Sequence, residues 1–289
     1  MSIKEQIISI SLLKISQYAR NTIGNEAIAT AHSSYNKTIN LLINKRIFSI
    51  QPRDSELSPI SLITNLTLSQ FQQLKLQPIK TYQLYFNYQN VTIFYTKLTA
   101  CKSSTKTALA NSIKIAKQIL QQSDKKGLNL LFQQKNDDLI LAAFQQYLTQ
   151  AEHFYIMNDE ENTCNILTKL IGLGIGLTPS GDDFLSGLLA TFQYFNATKS
   201  TFYQNLTQQI RQNLANTNAI SSRFLDCALQ QQFSVPVLTF FENIDKQNSD
   251  IEQLNKLFEN IGHSSGMDTL FGIYYGCSLL SKKYNYVIY

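Results

Sequence analysis

Apolar residues recur with two different periods along this chain, and the period changes near residue 100. Up to that point, short runs of β-branched and aromatic residues lie between turn residues, which predicts strands. The predicted strands span residues 27–32, 38–43, 46–50, 61–63, 81–88 and 91–98. Residues 3–20 instead place Ile7, Ile8, Leu12 and Ile15 at helical spacing, which predicts an opening helix. Residues 44–45 and 88–90 have the spacing of hairpin turns, and 68–74 favour a short helical crossover.

After residue 104 the apolar pattern is helical and stays so to the C-terminus. The predicted helices span residues 105–122, 137–151, 160–171, 183–197, 200–214, 219–231, 235–244, 249–260 and 268–281. The pattern therefore predicts an α+β protein with segregated elements. Residues 1–103 would form an N-terminal helix and a small antiparallel β domain, and residues 104–289 a larger, all-helical domain.

Composition narrows the classes of function. Of 289 residues, 44% are apolar and only 16% charged, and 27 Gln and 24 Asn carry much of the polarity. The net charge is +5, but the basic residues are scattered, which gives no support for nucleic-acid binding. No apolar run reaches the roughly 18 residues that span a bilayer. The four cysteines form no CxxC pair, so neither a zinc site nor a redox motif is indicated. We expect a soluble, cytoplasmic protein.

Glycine is concentrated in two segments that repeat one another. The first reads GLGIGLTPSGDDFLSG from Gly172, and the second reads GHSSGMDTLFG from Gly262. Both contain the pattern S-G-x-D-x-L-x-G, which starts at Ser180 in the first segment and at Ser265 in the second. Five identities in eight positions rarely arise by chance. We predict that the two copies bring their helix N-termini to one shared cleft.

Each copy is a glycine-bearing loop that runs into an apolar helix. Free N–H groups and hydroxyls at the positive end of a helix are typical of an anion site. The candidate substrate-binding residues are Gly174, Gly176, Thr178, Ser180, Gly181, Ser264, Ser265 and Gly266. The alternative is that these residues only cap and pack helices. A long polar, glycine-rich loop exceeds what capping requires, and this favours a functional site.

Four titratable residues in these segments are candidates for catalysis: Asp182, Asp183, His263 and Asp268. A carboxylate beside an anion needs a cation or an N–H donor between them, because like charges repel. Mg²⁺, an amide NH₂ or a lysine would each serve, although no metal ligand set or cofactor is predicted. His263 could donate to an anion or act as acid and base, or it could simply be solvated.

The two motifs together resemble the family named for the AllH subunit of oxamate carbamoyltransferase, formerly known as domain of unknown function 2877. The runs that carry the resemblance are GLGIGLTPSGDDFLSGLL from Gly172 and GHSSGMDTLFGIYYG from Gly262. The resemblance implies a three-component carbamoyltransferase of purine (allantoin) breakdown, which converts oxalurate and phosphate to oxamate and carbamoyl phosphate. It also implies two companion subunits as partners and a small anionic substrate.

Three functions remain open on the sequence. In the first, the two loops hold phosphate or carboxylate oxygens while Asp182 or Asp183 accepts from a carbamoyl NH₂ group. In the second, the chain is a non-catalytic anion-binding or scaffolding subunit. In the third and weakest, Asp182 and Asp183 serve a Mg²⁺-dependent phosphoryl-transfer enzyme.

Overall fold

The computed structural model describes residues 6–74, 76, 79–88, 90–101, 105–133, 138–244 and 250–286. It divides into two units, Met1–Thr96 and Lys97–Tyr289. The boundary predicted at residue 103 lies outside the described residues. The first unit is β-rich and the second helical, as the change of apolar period predicts.

The first unit is built around a closed barrel. In chain order its elements are β1 (Gln6–Ser16), α1 (Gln17–Ile23), β2 (Glu26–Tyr35), β3 (Thr38–Ile43), β4 (Arg46–Gln51), β5 (Ser61–Thr64), α2 (Leu68–Phe71), β6 (Thr81–Asn87) and β7 (Thr92–Phe94). Among the described residues, six strands pair in the order β5-β4-β3-β2-β6-β1, and β1 closes the ring by pairing with β5. Closure removes the exposed edges that an open sheet of this size would present.

The predicted antiparallel sheet is only partly right. Four of the pairings are antiparallel, but β1 runs parallel to β6 and β7, and β4 runs parallel to β5. The turn at Asn44 and Lys45 is confirmed, because both residues have positive φ angles between β3 and β4. The hairpin predicted at 88–90 is wrong, since β6 and β7 pair with successive parts of β1. Apolar alternation identifies a strand but not the direction of its neighbour.

The predicted helix over residues 3–20 is also wrong for most of its length. The described part of this segment is strand β1 up to Ser16, and a helix begins only at Gln17. Its many isoleucines suit helical spacing and strand alternation alike, and pairing with β5 and β6 decides between them. Ser16 marks the change, because its hydroxyl accepts from the Ala19 N–H at 2.8 Å.

We expect Ser16→Ala to destabilise the β unit measurably. The buried Ser16 hydroxyl also donates to the Pro59 carbonyl at 2.6 Å, so its removal leaves two buried backbone groups without a partner. Such a loss costs about 1–3 kcal/mol per unsatisfied group. Chemical denaturation measures it, with the exposed Ser9→Ala as a control that should change stability little.

The second unit confirms the predicted run of helices. The helices of the described residues are α3 (Thr105–Gln122), α4 (Leu139–Ile156), α5 (Glu160–Thr168), α6 (Ser180–Tyr194), α7 (Thr201–Gln212), α8 (Ala219–Leu229), α9 (Val235–Asn243), α10 (Ile251–Glu259) and α11 (Ser265–Tyr286). Short 3₁₀ turns occupy Leu128–Phe132 and Leu214–Asn216. No helix in the part of the chain described here is long and apolar enough to cross a membrane.

Helices α6 and α11 pack against each other through glycines. A Cβ atom on Gly187 would lie well under 3.0 Å from the Thr269 carbonyl oxygen, and one on Gly272 equally close to the Phe184 carbonyl oxygen. Gly187 and Gly272 are equivalent positions of the sequence repeat, and so are Phe184 and Thr269. Each helix therefore contacts the other through the same position of the repeat, as expected for two parallel helices related by a local twofold axis. The N-termini of both helices lie at the same end of the pair.

Candidate functional site

The structure brings the two glycine-rich loops together at the N-termini of α6 and α11. The hydroxyls of Thr178 and Ser265 are 2.7 Å apart and hydrogen-bonded. Asp183 on α6 accepts from Ser265 of the other helix, and Asp268 on α11 accepts from Ser180. The two aspartates and the two serines are equivalent positions of the repeat, so the interactions are exchanged between the copies. Each copy of the repeat therefore makes the same serine-to-aspartate hydrogen bond to the other copy.

Asp183 and Asp268 are incompletely satisfied carboxyls in a dry environment. Asp268 is fully buried, Asp183 is partly buried, and the Oδ2 atom of each is buried without a hydrogen-bond partner among the described residues. Burial raises the pKa of Asp183 well above its usual value, and the nearby charge of Asp268 raises it further. Burial likewise raises the pKa of Asp268, against hydrogen bonds from Leu128, Ser180 and Ser264 that lower it. The pair forms a site where negative charge is costly.

Gly127 and Leu128, which the sequence did not single out, also contact Asp268. The Leu128 N–H donates to Asp268 Oδ1 at 2.7 Å. A Cβ atom on Gly127 would lie 2.5 Å from the same oxygen, so only glycine allows this backbone to approach. Lys125 and Lys126 precede this glycine directly in the sequence. The signal in the sequence was a lone glycine after two lysines, between two predicted helices.

Asp182 differs from its neighbour because its carboxylate is used within the fold. It is 2% exposed and accepts from Gly172 N at 3.0 Å, Thr217 Oγ1 at 2.5 Å and Ser221 Oγ at 2.7 Å. Burial raises the pKa of Asp182 while these three hydrogen bonds lower it. Asp182 therefore ties the glycine-rich loop to the start of α8 and has little capacity left for a ligand.

The glycine-rich loop before α6 depends on left-handed backbone. Gly174 has a φ of 126°, and a Cβ atom there would lie 2.5 Å from the Ser180 amide nitrogen. Gly176 has a φ of 114° and open space around it, and Ile175 between them is 83% exposed. The loop folds back on the N-terminus of α6 at Gly174 and projects into solvent at Ile175 and Gly176.

Two amides predicted to be free for an anion already have partners. Gly181 N donates to the Leu173 carbonyl at 2.9 Å, and Gly266 N donates to the Ile261 carbonyl at 3.1 Å. Both glycines also allow a close approach of backbone, from Leu170 in one case and Phe258 in the other. They pack the helix ends, so these two amides are not available to an anion.

Four side-chain hydroxyls at the loop junction are accessible from the surface. Thr178, Ser180, Ser264 and Ser265 are each partly exposed beside the carboxyl pair. His263 lies in the turn before α11 and is exposed, at the repeat position that Thr178 occupies in the first copy. The structure therefore gathers the hydroxyls, the carboxyls and His263 at one end of the helix pair.

Comparison with protein families identifies the segment that carries this site. Residues 170–277 match the family model described as oxamate carbamoyltransferase subunit AllH. No solved structure matches the chain. The matched segment contains both glycine-rich loops, α6 and most of α11. The match confirms the resemblance carried by the two motifs over residues 170–277.

Proposed function

We propose that this chain is a subunit of a carbamoyltransferase that converts oxalurate and phosphate to oxamate and carbamoyl phosphate, in the cytoplasm, during allantoin and purine breakdown. The family match supports the complex, and the unpartnered oxygens of Asp183 and Asp268 support a ligand at the junction of the loops. Two companion subunits and a small anionic substrate complete the proposal.

The chemistry of that substrate suits the groups present. Carbamoyl phosphate and oxamate both combine an NH₂ donor with an anionic end. Asp183 is proposed to accept from the carbamoyl NH₂ group. The hydroxyls of Thr178, Ser180, Ser264 and Ser265, which now donate to Asp183, to Asp268 or to one another, would exchange those bonds for bonds to phosphate or carboxylate oxygens. His263 is the candidate proton carrier for the leaving nitrogen. Catalysis would then consist mainly of positioning and charge stabilisation.

A non-catalytic role is the alternative that one observation favours. The amides of Gly181 and Gly266, which would form an anion cradle, are taken up by packing. In that case the loops sense or brace an anion while a companion subunit performs the chemistry. Phosphoryl transfer with a Mg²⁺ ion bound by Asp182 and Asp183 is the weaker alternative, because the Asp182 carboxylate already accepts three hydrogen bonds.

Reconstitution tests the proposed function. We expect little or no phosphate-dependent oxalurate breakdown by the purified chain alone, and turnover when two companion subunits are added. Full turnover by the chain alone would contradict the subunit role. No turnover after reconstitution would show that the substrate is another one.

A further inference from the structure

Two buried oxygens at the loop junction lack any partner in the described structure: Oδ2 of Asp183 and Oδ2 of Asp268. Leaving a buried acceptor unsatisfied is costly, and native folds rarely do so without a ligand, a water or a proton to fill the place. Asp268 is fully buried, so bulk solvent does not compensate its charge. Asp183 and Asp268 are equivalent positions of the repeat and both carry an unpartnered oxygen, so we look for one explanation for both.

No positive side chain in the described part of the chain compensates this pair. Neither aspartate forms an ion pair there, whereas carboxylates elsewhere on the helices do, such as Glu252 with Lys256. The donors that reach Asp183 and Asp268 are hydroxyls and one backbone N–H, all of them neutral. The site therefore holds two carboxyls with only neutral donors around them.

We propose that Asp183 and Asp268 together bind one divalent cation of the Mg²⁺ type through their Oδ2 atoms. The atoms that would bind the ion are carboxylate oxygens, which suit a hard cation of the Mg²⁺ type. Two carboxylates match the charge of a divalent ion. The described residues contain no group of three or more His, Cys, Asp or Glu that would hold a metal alone. Mg²⁺ does not need one, because it is commonly held by one or two carboxylates with water and substrate oxygens.

The cation would explain how an anion is held beside two carboxylates. This part of the inference rests on the proposed function. Phosphate or carbamoyl phosphate would otherwise meet like charge at Asp183 and Asp268. A bound cation has the opposite charge to both the carboxylates and the anion, and it would lie between them. Ligand and cation should therefore bind cooperatively at this site.

Titration of the purified chain with Mn²⁺, followed by electron paramagnetic resonance, tests the cation directly. We expect one Mn²⁺ per chain, displaced by excess Mg²⁺, and a melting temperature that rises with either ion. Absence of a stoichiometric Mn²⁺ site at millimolar concentration would overturn the proposal, whatever the variants do.

Asp183→Asn and Asp268→Asn provide the second arm. Removing an outer-shell partner of a metal ligand already costs about 10–100-fold in affinity, so each variant should lose at least that much. Glu252→Gln, which removes an exposed helical carboxylate, is the control and should bind Mn²⁺ as the unmodified chain does. Equal Mn²⁺ affinity in the folded Asp183 and Asp268 variants would place the ion elsewhere and contradict the assignment.

The outcomes separate this inference from the proposed function. Mn²⁺ binding without any effect of carbamoyl phosphate or oxamate would support the cation site and count against the carbamoyl ligand. Binding of carbamoyl phosphate or oxamate that is unchanged by chelation of divalent ions would support the carbamoyl ligand and contradict the cation site. A chain that binds no ion, yet gains stability from Asp183→Asn, would indicate a shared proton in place of the cation.

Discussion

Asparagine in place of Asp183 is expected to abolish ligand binding at the loop junction while the folded chain becomes no less stable. The variant loses the acceptor proposed for the carbamoyl NH₂ group, and loss of one positioned polar partner commonly costs about 100-fold or more in turnover. At the same time it removes a charge that burial and Asp268 both disfavour. Turnover of the reconstituted complex and the melting temperature of the chain measure the two effects.

The pH dependence of this stability change follows from the pKa. Because the pKa of Asp183 is raised in the folded chain, ionisation opposes folding at neutral pH and above, and that cost is relieved as the pH falls through the raised value. With divalent ions chelated, any gain in melting temperature from Asp183→Asn should be largest at about pH 8 and shrink toward about pH 5. A gain that grows toward acid pH would contradict the assigned direction.

Asp182→Asn is the matched control, and it should show the opposite pattern. An amide NH₂ group in this position would face Gly172 N, Thr217 Oγ1 or Ser221 Oγ, which all donate to the carboxylate now. Charge-assisted hydrogen bonds are worth about 1.5–3 kcal/mol, so we expect a clear fall in melting temperature. If Asp182→Asn were neutral and Asp183→Asn unfolded the chain, the roles given to the two aspartates would be reversed.

Alanine at Gly187 or Gly272 is expected to destabilise the helical unit strongly and to nearly equal extents. Each new Cβ atom would meet a backbone carbonyl of the facing helix, at Thr269 or Phe184, and a backbone group cannot turn away. The helices must then separate, and such overpacking costs about 1–3 kcal/mol or more. Chemical denaturation of the two variants measures the cost, and the local twofold relation predicts that they agree.

Gly276→Ala serves as the control for that pair. Its Cβ atom would meet side-chain atoms of Thr191 and Leu188 at 2.9 and 3.1 Å, and side chains can shift. We expect a smaller loss than at Gly187 or Gly272. A loss as large at Gly276, or a negligible one at the other two, would contradict the close backbone contact.

The site was predictable where the sequence carries a local signal. The repeat S-G-x-D-x-L-x-G places a polar residue and a glycine at the start of both helices, and from this likeness we predict that the two N-termini meet. The hydrogen bond between Thr178 and Ser265 joins the two loops at that end. The helices of the second unit were likewise predictable, because each carries its own apolar period.

Other features depend on partners that a local pattern does not reveal. The isoleucines of β1 suit a helix as well as a strand, and only its neighbours β5 and β6 decide. Asp182 and Asp183 look alike in sequence, but Thr217 and Ser221 bind one of them from a distant part of the chain. Gly127 was passed over because its contact, Asp268, lies far along the chain, in the second copy of the repeat.

Calorimetric titration of carbamoyl phosphate into the purified chain, in buffer with Mg²⁺, tests most directly whether the two loops form one ligand site. We predict one binding event per chain that is lost in both Asp183→Asn and Asp268→Asn, because the two carboxyls act on the same ligand from opposite copies of the repeat. Unchanged binding by both variants, each shown to be folded, would contradict it.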